Sequence, residues 1–226
     1  MQSIEPIGHI KTPFKEKFGA PRQPGLAPSA HAELELIAPY NDPDAVRGLE
    51  NCSHVWLIFQ FSENLNARWK PLTRPPRLGG NEKLGVFATR STHRPNAMGL
   101  SVVKLDSIDI NNGVRLNVSG IDLVDGTPIF DIKPYIPYSD SLPNAVYPGM
   151  EQPTPLQQPV QFSEQALAVI SQEPQLNALI EEVLTQDPRP AFHSDETRIY
   201  GISLDRYNIQ FSINRDAIQV IAIDQS

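Results

Sequence analysis

Short apolar stretches separated by turn residues fill the first 140 positions of the chain. Alternating or continuous apolar positions predict strands at 4–10, 33–37, 54–61, 100–110, 114–123 and 127–132, and further strand ends at 86–88 and 100–103. The sequence Asn111-Asn112-Gly113 predicts a hairpin, because Asn and Gly tolerate positive φ. Only a short helix near 41–47 interrupts these strands, which favours an antiparallel sheet or barrel over a doubly wound α/β domain.

The pattern changes after residue 140. Residues 141–161 are rich in proline, serine and glutamine and predict a linker or an extended edge. Ser163 is a helix cap, and a second helix begins at Pro174 with apolar residues at helical spacing up to Leu184. Three short strands are expected near 198–204, 207–213 and 217–223. The predicted fold is mainly β: an N-terminal antiparallel β-barrel domain (1–140), a linker (141–161) and a small C-terminal α+β domain (162–226).

Composition narrows the class of protein. The chain has 226 residues, enough for a large core, and Cys52 is its single cysteine, which excludes an internal disulfide framework and fits a reducing cytoplasm. The first residues lack the basic and apolar blocks of a secretory signal, and no run of apolar residues is long enough for a membrane span. No cysteine and histidine spacing suggests a zinc site, so we expect no metal.

Positive charge is concentrated in one segment of an acidic chain. The net charge is −7, yet residues 66–104 hold eight lysines and arginines against Glu82 alone. A local basic surface of this kind attracts a polyanion, and Trp69 within it could stack on a base. The alternative is that Arg74-Pro-Pro-Arg77 is a stiff, solvated connector.

The loop inside 85–103 is the strongest candidate for a functional site. Arg90 and Arg94 bracket Ser91-Thr92-His93, and guanidinium groups suit carboxylate or phosphate ligands. A solvated turn with ordinary surface charge is the alternative. A second long loop, 20–28, contains Gly25, which would let the backbone approach a ligand closely. The chain has no G-x-G-x-x-G after a strand, so the usual dinucleotide-type fingerprint is absent.

The stretch TRSTHRPNAMG at 89–99 resembles the motif of the TrmO-like (YaeB-like) family of tRNA methyltransferases. Matching stretches follow the same order along the chain, including PFKEKFGAPRQPGL at 13–26, RPPRLGG at 74–80, DLVDGTPIFDIKPYIPYSD at 122–140 and DPRPAFH at 187–193. Ala97-Met98 departs from the Pro-Ile expected before the glycine. The resemblance implies a β-barrel enzyme that uses S-adenosylmethionine to methylate N6 of N6-threonylcarbamoyladenosine at tRNA position 37. It also implies a homodimer with the cofactor near the subunit interface.

The resemblance implies a cofactor site formed by the 24–26 loop, Arg90, Leu100 and residues 119–122, and Glu63 and Asn64 at the end of a predicted strand could reach the same pocket. The predicted cofactor residues are Pro24, Gly25, Leu26, Glu63, Asn64, Arg90, Leu100, Ser119, Gly120, Ile121 and Asp122. Arg90 could hold the methionine carboxylate, although a structural ion pair is the alternative. Asp122 could take the ribose hydroxyls or the amino group, and a turn-capping role is equally compatible with its position.

The acceptor side is predicted to use the stretch DIKPYIPYSD at 131–140. Asp131 can accept a hydrogen bond from the adenine amine, Tyr135 offers a stacking face, and Lys133 could hold a phosphate or the threonyl carboxylate. The alternative is that the prolines stiffen a strand exit and the tyrosines pack against the barrel. Predicted RNA-binding residues are Arg74, Arg77, His93, Arg94, Asn96 and Arg189, the last of which could instead be a cation at a helix C-terminus.

Two other functions compete with a tRNA methyltransferase. One is a non-catalytic barrel that senses S-adenosylmethionine or binds RNA as an adaptor. The other is a hydrolase built on Cys52 and His54, which lie two residues apart. We expect instead a packed thiol beside a hydrogen-bonded histidine.

Overall fold

The structure is a computed structural model that describes residues 3–65, 68–75, 82–148, 151, 153–190 and 195–226. The predictions for Arg77 and for residues 191–193 of the DPRPAFH stretch therefore concern positions outside the described residues.

Strands dominate the described part of the chain. In chain order they are β1 (Gly8–Lys11), β2 (His31–Leu36), β3 (His54–Gln60), β4 (Leu72–Thr73), β5 (Leu84–Gly85), β6 (Met98–Asp109), β7 (Arg115–Ser119), β8 (Thr127–Pro134), β9 (Val160–Phe162), β10 (Tyr200–Leu204), β11 (Tyr207–Ile213) and β12 (Ile218–Gln225). The α-helices are α1 (Pro137–Asp140), α2 (Glu164–Ile170) and α3 (Pro174–Thr185). Within the described ranges no helix has the length and apolar character needed to cross a membrane.

Six strands close into an antiparallel barrel in the order β1-β2-β7-β6-β3-β8, and β8 pairs back to β1. Alternate side chains point inward, because successive residues of a strand face opposite sides. Leu34, Leu57, Leu116 and Ile129 are completely buried inside the barrel. The prediction of a mainly β fold with an antiparallel barrel is confirmed.

The strand order places three connections on the same rim of the barrel. Register pairs join Ile10 to Thr127, His31 to Ser119, and Gln60 to Met98, so these strand ends lie at one rim. The connections that leave this rim are 12–30, 61–97 and 120–126. We call it the upper rim. The connections 37–53 and 110–114 and the end of β8 lie at the opposite, lower rim.

The C-terminal residues form a four-stranded sheet in the order β10-β11-β12-β9, covered by helices. Five apolar residues of α3 are buried: Leu176, Leu179, Ile180, Val183 and Leu184. Ser163 caps α2 by accepting a hydrogen bond from the Ala166 N–H at 3.1 Å, as its sequence position predicts. Strand β9 pairs in parallel with β12, so the proline-rich stretch before residue 161 ends in a sheet strand.

The connection 12–30 also fastens the barrel to the C-terminal sheet. Phe14 is completely buried and forms an isolated antiparallel β-bridge with Leu204 of β10. The Asp205 N–H donates to the Pro13 carbonyl at 2.6 Å. Further along, the Ser29 N–H and hydroxyl both donate to the Glu182 carboxylate, at 2.8 and 2.9 Å. The loop that leaves the upper rim is therefore held on both sides.

Three predicted strand segments differ from the structure. The first strand covers Gly8–Lys11 rather than 4–10. Residues Val86–Ala88 form a 3₁₀ turn rather than a strand end, because the Thr89 N–H and hydroxyl both bond back to the Val86 carbonyl. Strand β7 stops at Ser119 rather than at Leu123, because Gly120 turns the chain with φ at +73°. Ile121 and Leu123 remain buried after the turn, which explains why their alternation resembles a strand.

Candidate functional site at the upper rim

The predicted cofactor residues come from separate parts of the sequence and converge on the upper rim. Residues 24–26 belong to the first connection, residues 63 and 64 to the second, and residues 120–122 to the third. Arg90 also lies on the second connection, which continues into Leu100 near the start of β6. Loops on one rim of a rigid barrel are a common arrangement for a binding site.

A contact between two glycines joins the first and third connections. The Gly25 N–H donates to the Gly120 carbonyl at 2.8 Å, and the Gly120 N–H donates to the Ala30 carbonyl at 3.0 Å. A Cβ added to Gly120 would lie 3.3 Å from the Gly25 Cα. A side chain at position 120 would press on the Gly25 backbone, so this close approach favours glycine there, where φ is also positive.

Asp122 carries an unusual carboxyl group at the centre of this cluster. Its Oδ1 is buried and has no hydrogen-bond partner within the described residues. Burial raises the pKa of Asp122 from its ordinary 3.8 to about 6, and the Ser101 hydroxyl and the Arg90 charge partly oppose this rise. A buried carboxyl oxygen without a partner is costly in free energy, and a ligand with donor groups would satisfy it.

Arg90 faces the same space from the second connection. Its guanidinium donates a hydrogen bond to Gln23 Oε1, one residue before Pro24, and contributes a favourable charge interaction with Asp122. The remaining guanidinium donors suit a carboxylate ligand. Arg90 is exposed, which leaves it accessible to a small molecule.

Lys17 holds Glu63 and Asn64 against the first connection. Its ammonium lies 2.9 Å from Glu63 Oε2 and donates to Asn64 Oδ1 at 3.0 Å. The side-chain nitrogen of Asn64 is buried and has no hydrogen-bond partner among the residues described. The upper rim thus contains a second polar atom that a ligand could satisfy.

The predicted catalytic residues lie away from this cluster within one chain. Asp131 pairs in register with Ile58, and Ile58 pairs with Leu100. Because Leu57 and Phe59 point into the barrel, this row of side chains faces outward. Adjacent strands lie about 5 Å apart, so Asp131 is about 10 Å across the outer surface from Leu100.

Lys133 and Tyr135 lie still nearer the lower rim. Lys133 pairs with Trp56, and the Tyr135 ring lies 5.7 Å from the Trp56 ring and 6.4 Å from the His54 ring. The Trp56 indole N–H donates to Asp140 Oδ2 at 3.0 Å. Along β8 and the residue that follows it, the three predicted catalytic residues therefore lie progressively farther from the cofactor cluster.

The predicted RNA-binding residues fall into three environments. Arg74 and His93 line a cavity of about 460 Å³ beside the β4–β5 hairpin, and Asn96 is exposed. Arg94 points inward and donates to the Thr89 and Val86 carbonyls at 2.8 and 3.3 Å, so it shapes the loop. Arg189 is 15% exposed and donates to both Asp187 carboxylate oxygens, at 2.7 and 2.9 Å, so an intraloop ion pair occupies it.

Cys52 and His54 form no catalytic pair in the structure. His54 Nδ1 lies 3.0 Å from the Ser53 hydroxyl, and the Cys52 thiol is partly buried. Within the described ranges, no group of three or more His, Cys, Asp or Glu residues is placed to hold a metal ion.

The structure adds three residues that the sequence reasoning missed. Ser101 touches the Asp122 carboxyl, Gln23 accepts from Arg90, and Lys17 binds Glu63 and Asn64. Ser101 is a polar residue at an inward position of β6, which is a signal that the sequence pattern does contain. Gln23 and Lys17 sit in loops, where no periodicity identifies them.

Comparison with known proteins gives consistent matches over the chain. Residues 9–141 match the family model of the tRNA-methyltransferase O N-terminal domain, and residues 155–226 match that of the TrmO C-terminal domain. The Escherichia coli protein tRNA (adenine(37)-N6)-methyltransferase is 46% identical over 98% of this chain and 97% of its own length. A Pseudomonas aeruginosa protein provisionally named as an S-adenosylmethionine-dependent methyltransferase has the same identity and coverage.

A solved structure has the same fold along its whole length. The crystal structure of TrmO from Pseudomonas aeruginosa superimposes with a TM-score of 0.82 at 40% identity, and covers 99% of this chain and 98% of that one.

Asp122→Asn tests the burial of the carboxyl group. Because the folded-state pKa of about 6 lies above the ordinary 3.8, stability from this group is present below pH 3.8 and is lost as the pH rises through about 6. The variant should therefore exceed the wild type in free energy of unfolding by up to about 3 kcal/mol near pH 7.5, and by little near pH 4. Urea denaturation at both pH values measures the difference.

Asp216→Asn is the matched control, since Asp216 is exposed. Between the two pH values, the free energy of unfolding of this control should change by the same amount as that of the wild type. A difference from the wild type that is the same at both pH values for Asp122→Asn would contradict the assignment.

Proposed function

The chain belongs to the tRNA-methyltransferase O family, and we propose that it transfers a methyl group from S-adenosylmethionine to N6 of adenine 37 in tRNA. We further propose that the acceptor carries the N6-threonylcarbamoyl group. The observation that carries the proposal is the buried, unpartnered carboxyl oxygen of Asp122 facing Arg90 at the upper rim.

The residues of the upper rim fit this cofactor chemically. S-adenosylmethionine carries a carboxylate, an ammonium group, ribose hydroxyls and an adenine, and it supplies a methyl group made electrophilic by a positively charged sulfur. Arg90 matches the carboxylate, while Asp122 Oδ1 matches a donor from the ammonium or the ribose. The buried Asn64 nitrogen matches an acceptor on the ligand.

Backbone groups around Gly25 and Gly120 would complete the cofactor site. Pro24 and Leu26 flank Gly25 in the first connection, and Ser119 and Ile121 flank Gly120 in the third. Because Gly25 is exposed and has no side chain, a flat ring could lie against its backbone. Leu100 lies half-exposed near the start of β6 and would add an apolar contact.

On the acceptor side, the chain must orient a weakly nucleophilic amine and receive its proton. We propose that the Asp131 carboxylate accepts the N6 proton as the new N–C bond forms and the C–S bond breaks. Tyr135 would stack on the base, and Lys133 would hold the threonyl carboxylate. The leaving sulfur keeps the electron pair of the broken bond, so no oxidant or reductant is needed.

A homodimer would explain why the two sets of residues are apart in one chain. Asp131 and Leu100 share the outward face of β3, β6 and β8, and Leu100 is 54% exposed there. We propose that a second copy covers this face and encloses the acceptor site. A single free cysteine and a tRNA substrate support a cytoplasmic location.

RNA contact is proposed for the basic stretch of the barrel and for the C-terminal domain. Arg74, His93 and Asn96 are exposed beside the upper rim, and Arg94 holds the loop that carries them. In the C-terminal domain, Arg189 would contribute to RNA contact indirectly, because its ion pair with Asp187 shapes the loop that carries it. The barrel holds the candidate cofactor site, and the small sheet domain is a separate part of the chain. This arrangement supports the proposal that part of the RNA contact lies outside the cofactor-binding domain.

Methyl transfer to tRNA is tested directly. We expect the purified protein, incubated with tRNA and S-adenosylmethionine, to yield an N6-methylated N6-threonylcarbamoyladenosine detected by nucleoside mass spectrometry. Transcripts that lack the threonylcarbamoyl group and transcripts with another base at position 37 are the controls. Cofactor binding without methyl incorporation into any tRNA would contradict the proposal and favour the adaptor function.

Arg90→Ala is expected to weaken binding of S-adenosylmethionine about 10- to 100-fold, because a charge-assisted hydrogen bond to a carboxylate contributes about 1.5–3 kcal/mol. Isothermal titration calorimetry measures the change. Arg47→Ala is the control, since Arg47 is exposed and forms an ion pair with Asp44 on its own 3₁₀ turn. An unchanged affinity for Arg90→Ala would remove this residue from the cofactor site.

Asp131→Ala is expected to lower kcat by about 100-fold or more, with the Kd for the cofactor within about twofold of the wild type. Single-turnover methyl transfer measures the rate, and calorimetry measures the affinity. Asp109→Ala, at the far end of β6, is the control. A loss of cofactor affinity with normal turnover would instead assign Asp131 to the cofactor site.

A further inference from the structure

We propose that the cavity lined by Lys70, Arg74, Lys83 and His93 binds a backbone phosphate of the RNA next to the target nucleotide. The inference rests on the proposed tRNA substrate and assigns a ligand to a surface outside the cofactor cluster. The cavity measures about 460 Å³, and Leu72 and Thr73 of the β4–β5 hairpin complete its described lining.

The cations of the cavity lack the partners that most other cations of this chain possess. Nine of the fifteen other lysines and arginines in the described ranges are paired with carboxylates: Lys11, Lys15, Lys17, Lys104, Arg47, Arg115, Arg189, Arg206 and Arg215. Within the described ranges, Lys70, Arg74 and Lys83 form no ion pair, and none of the described lining residues is acidic. Like charges gathered without counter-charge raise the free energy of the fold, and a bound anion removes that cost.

The cavity is held in place by the same contacts that position the cofactor loop. The Val86 N–H donates to the Pro71 carbonyl at 2.9 Å and fixes the base of the hairpin. The Arg94 guanidinium bonds the carbonyls of Val86 and Thr89, and its carbon lies 5.8 Å from the Phe87 ring centre. Arg90 and His93 therefore sit on one clamped turn, with Arg90 toward the cofactor cluster and His93 in the cavity.

Charge distribution favours a phosphate at this position over one on the C-terminal domain. Residues 162–226 contain four arginines and no lysine against ten acidic residues, so the net charge of that domain attracts a polyanion less than the cavity does. Two lysines and an arginine converge on the cavity, and they recognise phosphate by charge with little dependence on base identity. The cavity would thus fix the position of the strand while the cofactor and acceptor residues act on the base.

Single substitutions Lys70→Gln, Arg74→Gln and Lys83→Gln test the site in the full-length protein. Each should weaken tRNA binding about three- to tenfold at about 0.15 M salt, and should reduce the slope of log K against log salt by about 0.7–0.9. Filter binding over a salt series measures both quantities. Affinity for S-adenosylmethionine and the thermal midpoint should stay at the wild-type values.

Arg215→Gln is the matched control, because Arg215 is 89% exposed, lies on the acidic domain and carries the same charge. It should leave both affinity and slope unchanged. If the cavity substitutions behave like this control, the inference is wrong even when the wild type methylates tRNA. If instead the wild type binds tRNA but never methylates it, the proposed function fails and the salt slopes still decide whether the cavity holds a phosphate.

A second comparison separates a phosphate from the carboxylate of the modified base. Transcripts with and without the threonylcarbamoyl group should lose affinity equally in each cavity variant, since the phosphate is present in both. A loss confined to the modified transcript would overturn the phosphate assignment and place the base carboxylate in the cavity.

Discussion

Closure of an antiparallel barrel is the constraint on which the rest of the structure depends. In the order β1-β2-β7-β6-β3-β8, every strand pairs on both sides, so its direction is fixed by its neighbours. The connections 12–30, 61–97 and 120–126 must then share a rim, however far apart they lie in sequence. Arg90, Gly25 and Asp122 meet because of strand direction, and the hydrophobic interior supplies the free energy that holds them there.

Burial of the Asp122 carboxyl lowers the stability of the folded protein near neutral pH. Its burial lifts the pKa to about 6, so near neutral pH the folded protein carries an ionised group that prefers water. A ligand that donates to Oδ1 would recover this lost free energy on binding. Ionisable groups with shifted pKa values cluster at binding sites for this reason: the stability lost by burying them is regained when a ligand binds.

The pattern of the sequence predicts elements well and side-chain partners poorly. Alternation located β2, a continuous apolar run located β3, and helical spacing located α3. Alternation failed at Ile121 and Leu123, which bury their side chains from a loop after Gly120 has ended the ladder. Periodicity reports burial and not hydrogen bonding, so it extended β7 too far. The two-residue strands β4 and β5 are too short to leave any periodic signal.

The roles of the arginines could not be deduced from sequence, because one residue type serves three purposes here. Arg90 faces the ligand space, Arg94 clamps two carbonyls, and Arg189 is bound by Asp187, although all three lie in motif-like loops. The three arginines differ in the acceptor group that the fold places beside each guanidinium. Where carbonyls or a carboxylate occupy the donors, an arginine shapes the loop; where no carboxylate forms an ion pair with the guanidinium, its remaining donors are available to an external anion. On this criterion the basic stretch of the barrel divides into residues that build the loop and residues whose charge is left for an anionic ligand.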